Sequence, residues 1–431
     1  MSKLPAQHYR RRPPTRRRMR KHAFQMVVSV LAMFLLCIFF LAWTFPRDLL
    51  SPSAGSVTAI PEPPPSPAAA SPAAEPEPQP VVQTVRFSAT GDNLIHSPIY
   101  KQAKRRAAGT EGYSFDYCYE HIAPFYAQQD VNWINQETLC TDELEPSTYP
   151  CFSTPGDCAR ALYRAGVRVF SLSNNHTYDK GASGIAATLR FWDSMPEDVV
   201  TTGLWKGESD YGRIPIQTVN GVTIAYLSYT EHTNGIPQSK AMTANIIYTS
   251  QTDVIEQQVR SAHQLADFVV VGVHWGVENS HTVVDAQRAL AQSLADWGAD
   301  LIVGTHPHVL QNAQWLTAAD GRKVFTAYSL GNFISAQSKA NNMIGGLFQF
   351  KINKEYDLDG NYKITITEPY FVPTITHYDA NYKNIRNYLL KDYTPDLAAS
   401  HGVVAYDNQF SYNYVENKVY SVIPEEFLLY K

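Results

Sequence analysis

The chain has 431 residues, of which 44% are hydrophobic and 12% aromatic, and its formal net charge is -4. A chain of this size can bury a real core in one large domain or two ordinary domains, which excludes a small module that depends on disulfides. Its charge is uneven, because Lys and Arg are frequent between positions 3 and 21 whereas the first acidic residue is Asp48. This basic stretch borders an apolar segment, which favours a membrane-flanking role over nucleic-acid binding.

The apolar segment is residues 23–45, AFQMVVSVLAMFLLCIFFLAWTF, which carries no charge and is long enough to cross a bilayer as a helix. The preceding positive charge predicts that residues 1–22 form a basic cytoplasmic tail and that the rest of the chain is extracellular. A cleaved signal peptide is the alternative, but the long apolar run and the lack of a small-x-small cleavage site favour a retained anchor. Residues 46–80 are rich in Pro, Ala, Ser and Glu, which predicts an extended linker before a folded domain over residues 81–431.

Four cysteines follow the apolar segment, and they are close enough in sequence to form two disulfides in three alternative pairings. Both the oxidised and the reduced state are compatible with the sequence, since the predicted topology permits disulfides but a chain of this size does not need them. None of the four has CxxC spacing, which argues against a zinc ribbon. These residues are Cys118, Cys140, Cys151 and Cys158.

The folded part begins with strand and helix patterns that each end in polar residues. Residues 83–89 predict a strand before Asp92, and residues 130–134 predict a short strand before Glu137. Residues 156–165 have helical spacing with Gly166 as the C-cap, and they lead to an apolar run, 167–170, and then to the segment SLSNNHTYDKG. That segment carries Asn175, His176 and Asp179.

Two similar helix and strand units follow. Residues 253–266 predict a helix before the strand 268–273 and His274, and residues 285–297 predict a helix before the strand 301–303, His306 and His308. Between the two groups of units, residues 222–229 predict a strand, and the loop 230–235 is compatible with either a substrate loop or an ordinary connection. Residues 346–352 and 362–376 predict further strands. The continuous apolar strands indicate burial on both faces, and hence an α/β fold with substantial parallel pairing.

In open α/β sheets ligands bind beyond the carboxyl ends of the strands, so we expect the polar residues at these strand ends to converge on one site. A single histidine at a strand end is most often structural, but polar groups at five equivalent strand ends are hard to assign to packing. Carboxylates, an amide and three imidazoles provide enough ligands for two divalent ions about 3.5 to 4 Å apart, which is an arrangement used for phosphoester chemistry.

The motifs SLSNNHTYDKG, HWGVE, GADLIVGTHPHVLQ and YSLGNF, with Gln287 between the second and third, resemble the CapA family of capsule and poly-gamma-glutamate synthesis proteins, a branch of the calcineurin-like metallophosphoesterases. The resemblance runs from Phe87 to about Phe333. It implies a four-layer α/β/β/α sandwich and two divalent ions, which would be Mn, Fe or Zn. The apolar segment makes the membrane a partner through the N-terminal helix, and the resemblance adds polymer synthase or export subunits and an anionic polymer.

The resemblance also implies roles for individual residues. The first metal would be held by Asp92 and His308, with Glu137 as the bridging carboxylate. The second metal would be held by Asn175, His274 and His306. His176, oriented by Asp179, would act as the general acid or the oxyanion stabiliser. Glu278 and Asn332 would bind substrate.

One departure from the family pattern leaves two functions open. Metallophosphoesterases typically begin with Asp-x-His, but Asn93 and Leu94 follow Asp92, and the nearest imidazole is His96, two positions late. The first hypothesis is a membrane-tethered, extracytoplasmic metallohydrolase that acts on a phosphoester or a related acyl or amide bond. The second is a non-catalytic, metal-binding subunit of a polymer synthesis or export complex.

Overall fold

The computed structural model of the protein describes residues 81–236 and 245–428. The predicted cytoplasmic tail, membrane anchor and linker lie outside these residues. Among the residues that are described, no helix has the length and apolar character needed to span a membrane.

Strands and helices alternate through the first two thirds of the described chain, and strands dominate the last third. The strands are β1 (Val82–Asn93), β2 (Val131–Asn135), β3 (Cys140–Thr141), β4 (Thr154–Pro155), β5 (Val169–Ser171), β6 (Val200–Thr202), β7 (Ile216–Val219), β8 (Val222–Thr230), β9 (Phe268–His274), β10 (Leu301–Thr305), β11 (Ala313–Thr317), β12 (Lys323–Ala327), β13 (Asn332–Ile334), β14 (Ile344–Tyr356), β15 (Tyr362–Asp379) and β16 (Lys383–Leu389). The α-helices are α1 (Ser97–Arg106), α2 (Asp116–Tyr119), α3 (Ala123–Tyr126), α4 (Asp157–Ala165), α5 (Gly181–Asp193), α6 (Thr252–Leu265), α7 (Asp285–Trp297), α8 (Pro395–Ser400) and α9 (Tyr412–Val422).

Most strands belong to one of two mixed sheets. The first sheet has the order β16-β15-β14-β1-β2-β5-β6, with β13 also paired to β1, and the second has the order β11-β12-β10-β9-β8-β7. In the first sheet β1, β2, β5 and β6 are parallel, and in the second β8, β9, β10 and β12 are parallel. The predicted mixed α/β class with substantial parallel pairing is therefore confirmed.

The second sheet is buried on both faces, as its continuous apolar strands predict. Alternate residues of β8, β9 and β10 join the hydrophobic core that also contains side chains of the first sheet, among them Tyr226, Val270, Val303, Phe87 and Trp133. The intervening residues pack in a second core with side chains of α6 and α7, among them Leu227, Val271, Ile302, Val259 and Leu294. The two sheets thus share one core, and helices cover the outer side of the second sheet.

The predicted helix boundaries agree with the structure. Helix α4 ends at Ala165 and helix α7 at Trp297, and the following residues, Gly166 and Gly298, have φ angles of 114° and 124°. This left-handed backbone is the conformation for which glycine is favoured at a helix C-terminus. Strands β14 and β15 are both longer than predicted.

The four cysteines that follow the apolar segment are free thiols, so neither of the two possible disulfides forms in the structure. Cys118, Cys140, Cys151 and Cys158 are all free, and all but Cys151 are buried. Burial raises the pKa of the Cys118 thiol to about 12. The stability of the described domain therefore comes from its sheets and cores rather than from cross-links.

Candidate metal centre

The predicted ligands lie at the ends of five strands, three in the first sheet and two in the second, and they meet at one site. Asp92 lies in β1, and Glu137 and Asn175 follow β2 and β5, whereas the three histidines lie at the ends of β9 and β10. All of the ligands are almost completely buried: Asp92, Glu137, Asn175, His274, His306 and His308. The expected convergence of strand ends is confirmed by the distances between these side chains.

Close backbone approaches bring the strand ends together. A Cβ atom on Gly91 would lie 2.0 Å from the carbonyl oxygen of Gly331, and one on Gly304 would lie 1.9 Å from that of Tyr328. His306 and His308 have φ angles of 96° and 58°. Non-glycine residues in such conformations each cost about 1 to 3 kcal/mol and cluster at functional sites. The turn that carries both histidines is therefore held in an unfavourable conformation by its surroundings.

The first group of ligands consists of Asp92, Glu137 and His308, whose ligand atoms all lie within 4.8 Å of one another. Asp92 accepts hydrogen bonds from the side-chain amide of Asn135 at 2.8 Å and from the backbone N–H of His306 at 3.3 Å. Burial alone would lower the pKa of His308, but Glu137 and Asp92 raise it to about 9.

The second group surrounds the Nε2 atom of His274. The Oδ1 atom of Asn175 lies 3.0 Å and the Nδ1 atom of His306 lies 3.1 Å from this nitrogen, and Glu137 Oε1 lies at 3.8 Å. The opposite ring nitrogen of His274 lies 2.9 Å from the hydroxyl of Thr305, which donates to the Val273 carbonyl. This hydroxyl can accept a proton from Nδ1, and the tautomer with that proton leaves Nε2 free for a metal ion.

Burial keeps the second group neutral. It lowers the pKa of His274 well below the ordinary value, with a further contribution from His306, and it lowers the pKa of His306 to about 3. Neutral imidazole is the form that binds a metal ion, so neither side chain has to lose a proton first.

Glu137 provides the test of whether these residues fit a metal. Its carboxylate is completely buried, and neither oxygen has a hydrogen-bond partner. Burial raises the pKa of this carboxyl well above its usual value. A buried carboxylate without a partner is costly unless it is paired with a cation. Glu137 lies between the two groups, 3.6 Å from His308 Nε2 and 3.8 Å from His274 Nε2. The residues therefore fit divalent-metal binding, with Glu137 placed between the two groups of ligand atoms.

His176 and Asp179 form the predicted pair beside this site. The Nδ1 atom of His176 lies 2.8 Å from Asp179 Oδ2, which also accepts a hydrogen bond from the backbone N–H of Phe152 at 2.6 Å. The ring of Phe152 contacts the His176 ring edge-on, with centroids 4.6 Å apart. His176 is thus held by a carboxylate on one side and an aromatic ring on another.

The two residues predicted to bind substrate occupy different environments. Glu278 is exposed, and its carboxylate lies within 4.8 Å of ligand atoms of His306 and His308. Asn332 is fully buried, and its Oδ1 atom lies 3.1 Å from Nδ1 of His308, while its amide nitrogen donates to three other groups. Asn332 therefore orients His308, and its role in substrate binding stays a prediction.

The departure from Asp-x-His has a structural counterpart. Asn93 is directed into a buried network, where it donates to Gln136 Oε1 at 2.7 Å and accepts from the Tyr119 hydroxyl at 3.0 Å. His96 is half-buried, and its Nδ1 atom accepts a hydrogen bond from the backbone N–H of Ala336 at 3.2 Å. His96 does not belong to the clusters of metal-ligating atoms among the described residues.

The sequence does not predict several residues that support or border the site. Asn135 and Thr305 orient Asp92 and His274, and Asn234, in the loop 230–235, contacts Asn175 and His176 at 3.2 and 3.3 Å. The ring of His232 in the same loop lies 4.9 Å from that of His306. This loop therefore borders the site. The sequence feature that could have identified two of them is their position, because Asn135 and Thr305 stand at strand ends beside predicted ligands.

Comparison with known proteins gives matches over the region that carries the site. Residues 86–337 match the family model described as bacterial capsule synthesis protein PGA_cap. The chain is 30% identical over 248 residues to the PGA biosynthesis protein CapA of Bacillus subtilis (strain 168), covering 57% of this chain and 63% of that protein. It is 31% identical over 250 residues to the capsule biosynthesis protein CapA of Bacillus anthracis, covering 56% of this chain and 59% of that protein.

The match to each of these two relatives spans less than two thirds of its length. Among solved structures, a Staphylococcus aureus protein described as a candidate 5′-nucleotidase, in complex with alpha-ketoglutarate, is similar with a TM-score of 0.39 and 13% identity. That similarity covers 67% of this chain and 54% of the other.

Proposed function

The chain belongs to the bacterial capsule synthesis protein PGA_cap family, and from this premise we propose that it is a metal-dependent hydrolase of capsule or poly-gamma-glutamate synthesis. In this proposal the domain is a four-layer α/β/β/α sandwich of the metallophosphoesterase type. Its site holds two divalent ions, Mn, Fe or Zn, and acts on a phosphoester or a related bond.

The observation that carries the proposal is the isolated carboxylate of Glu137. It is completely buried, it has no hydrogen-bond partner, and it lies between two groups of ligand atoms. A purely structural carboxylate in such a position would be hydrogen-bonded, whereas the oxygens of Glu137 have only the longer contacts to His308 and His274. Divalent cations held by the two groups would give this carboxylate the partners that hydrogen bonds do not provide.

Neighbouring residues of the protein orient the side chains that would hold the ions. Asn135 and Asn332 fix the orientation of Asp92 and His308, and Thr305 fixes the tautomer of His274. Divalent ions in such a site polarise the scissile phosphoryl or acyl group and neutralise the charge that develops in the transition state.

His176 is the residue that moves a proton. Because its Nδ1 atom is engaged by Asp179, Nε2 is the nitrogen available to protonate a leaving group or to stabilise an oxyanion. Asp179 is a positioning residue in this account, since it acts on the substrate only through His176.

We further propose that the protein is anchored in the cell membrane by residues 23–45, with residues 1–22 in the cytoplasm and the domain from residue 81 outside. Residues 46–80 would separate the domain from the membrane surface. Synthase or export subunits and an anionic polymer are the partners that this arrangement favours. The support is the sequence pattern and the name of the family.

A non-catalytic role is the second candidate, and it is favoured by one observation. The position of the Asp-x-His histidine is occupied by Leu94, which is buried, and the neighbouring polar residues Asn93 and His96 are hydrogen-bonded to Gln136 and Ala336. A site with fewer ligands for one ion could hold a polymer through metal without cleaving it. Metal content separates this scaffold from a two-metal hydrolase.

The test is elemental analysis of the purified full chain. We expect about two equivalents of Mn, Fe or Zn per chain, loss of both in His306→Ala/His308→Ala, and retention of both in the exposed control His263→Ala. A metal-loaded wild type would then be screened against phosphodiesters and phosphomonoesters. A wild-type protein without bound metal would refute the hydrolase.

Polymer production in cells provides a second test. Asn175→Ala and His274→Ala should abolish the polymer if the metal site is needed, whereas deletion of residues 1–45 should abolish it under either candidate function. Normal production by both point variants, at wild-type protein levels, would contradict any role for the metal site.

A further inference from the structure

Glu278, an exposed residue of the loop after β9, contributes to the metal site rather than standing outside it. The predicted ligands are unequally divided, because Glu137, Asn175, His274 and His306 surround one position, whereas only Asp92, Glu137 and His308 surround the other. We propose that Glu278 is a metal ligand that completes the first position, in place of the histidine that an Asp-x-His motif would provide. This inference rests on the proposed function.

The first support is distance. The Glu278 carboxylate and ligand atoms of both His306 and His308 lie within 4.8 Å of one another, which is the same limit that joins Asp92, Glu137 and His308. His308 belongs to both groups. The Glu278 carboxylate is therefore close enough to His308 to bind the same ion.

The second support is that the residues on both sides of Glu278 are anchored. The backbone N–H of Gly276 donates to Glu231 at 2.9 Å, and that of Asn279 donates to the carbonyl oxygen of Pro307 at 2.8 Å. Pro307 stands between His306 and His308, so the loop is tied directly to the turn that carries both imidazoles. Asn279 also has a φ angle of 62° and accepts a hydrogen bond from Asn342 at 3.0 Å.

The third support is that His96 is not available for this task. Its Nδ1 atom accepts from the Ala336 backbone N–H, so in the neutral ring the proton is on Nε2. Neither nitrogen of His96 belongs to a cluster of metal-ligating atoms among the described residues. His96 therefore holds the segment at Ala336 in place. Glu278 is then the carboxylate that can complete the ligand set.

The charge balance of the site also favours Glu278 as a metal ligand. Two divalent ions carry four positive charges, and Asp92 with Glu137 balances two of them. A third carboxylate leaves a net charge of about one, which still attracts a phosphate or carboxylate group of a substrate. As a ligand, Glu278 would adjust the charge of the site as well as its coordination.

The experiment compares Glu278→Gln with the control Glu256→Gln, which changes a partly exposed glutamate of helix α6 that is paired with Arg260. Both variants and the wild type are purified as full chains, stripped with a chelator and titrated with Mn²⁺. Mn²⁺ content is measured by elemental analysis and affinity by calorimetry. We expect Glu278→Gln to lose one of two ions, or to bind one of them at least about 10-fold more weakly. Glu256→Gln should match the wild type, and Glu278→Asp should recover part of the loss.

The outcomes separate this inference from the proposed function. Two ions bound with unchanged affinity by Glu278→Gln would overturn the inference and leave the two-metal hydrolase standing, with Glu278 returned to substrate binding. A wild type that binds no ion would overturn both. If the wild type binds a single ion, the two-ion proposal is wrong, and the inference then stands or falls on whether Glu278→Gln loses that ion.

Discussion

Two groups of buried histidines in this protein have similar burial but different surroundings. In the C-terminal part, His377 and His401 lie with ring centroids 4.8 Å apart. His401 is bonded at both nitrogens, to the carbonyl of Thr376 at 2.8 Å and to the backbone N–H of Val403 at 2.9 Å, and His377 lies 2.8 Å from the Tyr393 hydroxyl. All of these contacts are hydrogen bonds within the folded domain, so both imidazoles have structural roles.

The histidines at the ends of β9 and β10 surround a carboxylate that has no hydrogen-bond partner and lies 3.6 Å from His308 Nε2 and 3.8 Å from His274 Nε2. Burial and clustering of imidazoles therefore do not identify a metal site, since the C-terminal group shows both features. What distinguishes the strand-end group is Glu137, whose buried charge requires a cation. The comparison can be tested by changes that should affect one group and spare the other.

Glu137→Gln should have the largest effect. We expect metal binding to weaken by more than about 100-fold, because the negative charge that lies between the two groups of ligand atoms is removed. The metal-free variant should be more stable than the metal-free wild type, since a buried amide is less costly than a buried carboxylate. Metal titration and denaturation in chelator measure the two effects. Unchanged metal binding would show that Glu137 is not a ligand.

Asp179→Asn should reduce turnover of bis(p-nitrophenyl) phosphate by about 100-fold, because the His176 ring loses the carboxylate that fixes its proton on Nδ1. Metal content should stay at the wild-type value, because Asp179 is not among the ligands. The exposed control is Asp193→Asn. Loss of metal in Asp179→Asn would place this residue in the metal site and contradict its positioning role.

His401→Gln should affect acid stability and leave metal binding unchanged. Burial depresses the pKa of His401 from 6.5 to about 3. Neutral His401 therefore contributes stability that is fully present above pH 6.5 and is lost as the pH falls toward 3, by an amount on the order of 4 kcal/mol. Urea unfolding at several pH values should show a shallower acid dependence in the variant. Parallel pH curves for variant and wild type would contradict the assignment.

Thr305→Val should have the smallest effect. Loss of the hydroxyl removes the acceptor for the Nδ1 proton of His274, which should weaken metal binding by about 10-fold. The matched control is Thr326→Val in β12, where the threonine hydroxyl is buried without a partner and its removal should not harm stability. Equal metal affinities in the two variants would contradict the orienting role of Thr305.

The sequence predicts one of the two histidine groups and is silent on the other. His274, His306 and His308 follow apolar strands of a βαβ pattern, so the meeting of parallel strand ends predicts their convergence. His377 lies within the long strand β15, and His401 follows helix α8, so no local pattern brings these two together. Their contact depends on how α8 and the segment after it fold back on the sheet.

The supporting residues of the site were out of reach for a related reason. Asn135 contacts Asp92 because β1 and β2 pair in a register that places the two side by side, and Glu278 approaches His308 because Asn279 is tied to Pro307. Register between strands and hydrogen bonds between loops are set by the whole fold. The pattern at each strand end supplies the ligands, whereas their orientation comes from tertiary structure.

The most direct test of the two-ion site with Glu137 between the ions is electron paramagnetic resonance of the Mn²⁺-loaded full chain. Two ions about 3.5 to 4 Å apart that share a carboxylate should give an exchange-coupled multiline spectrum. This signal should be lost in Glu137→Gln and kept in His401→Gln. A simple six-line spectrum of isolated Mn²⁺ at full loading, or no bound Mn²⁺, would contradict the account.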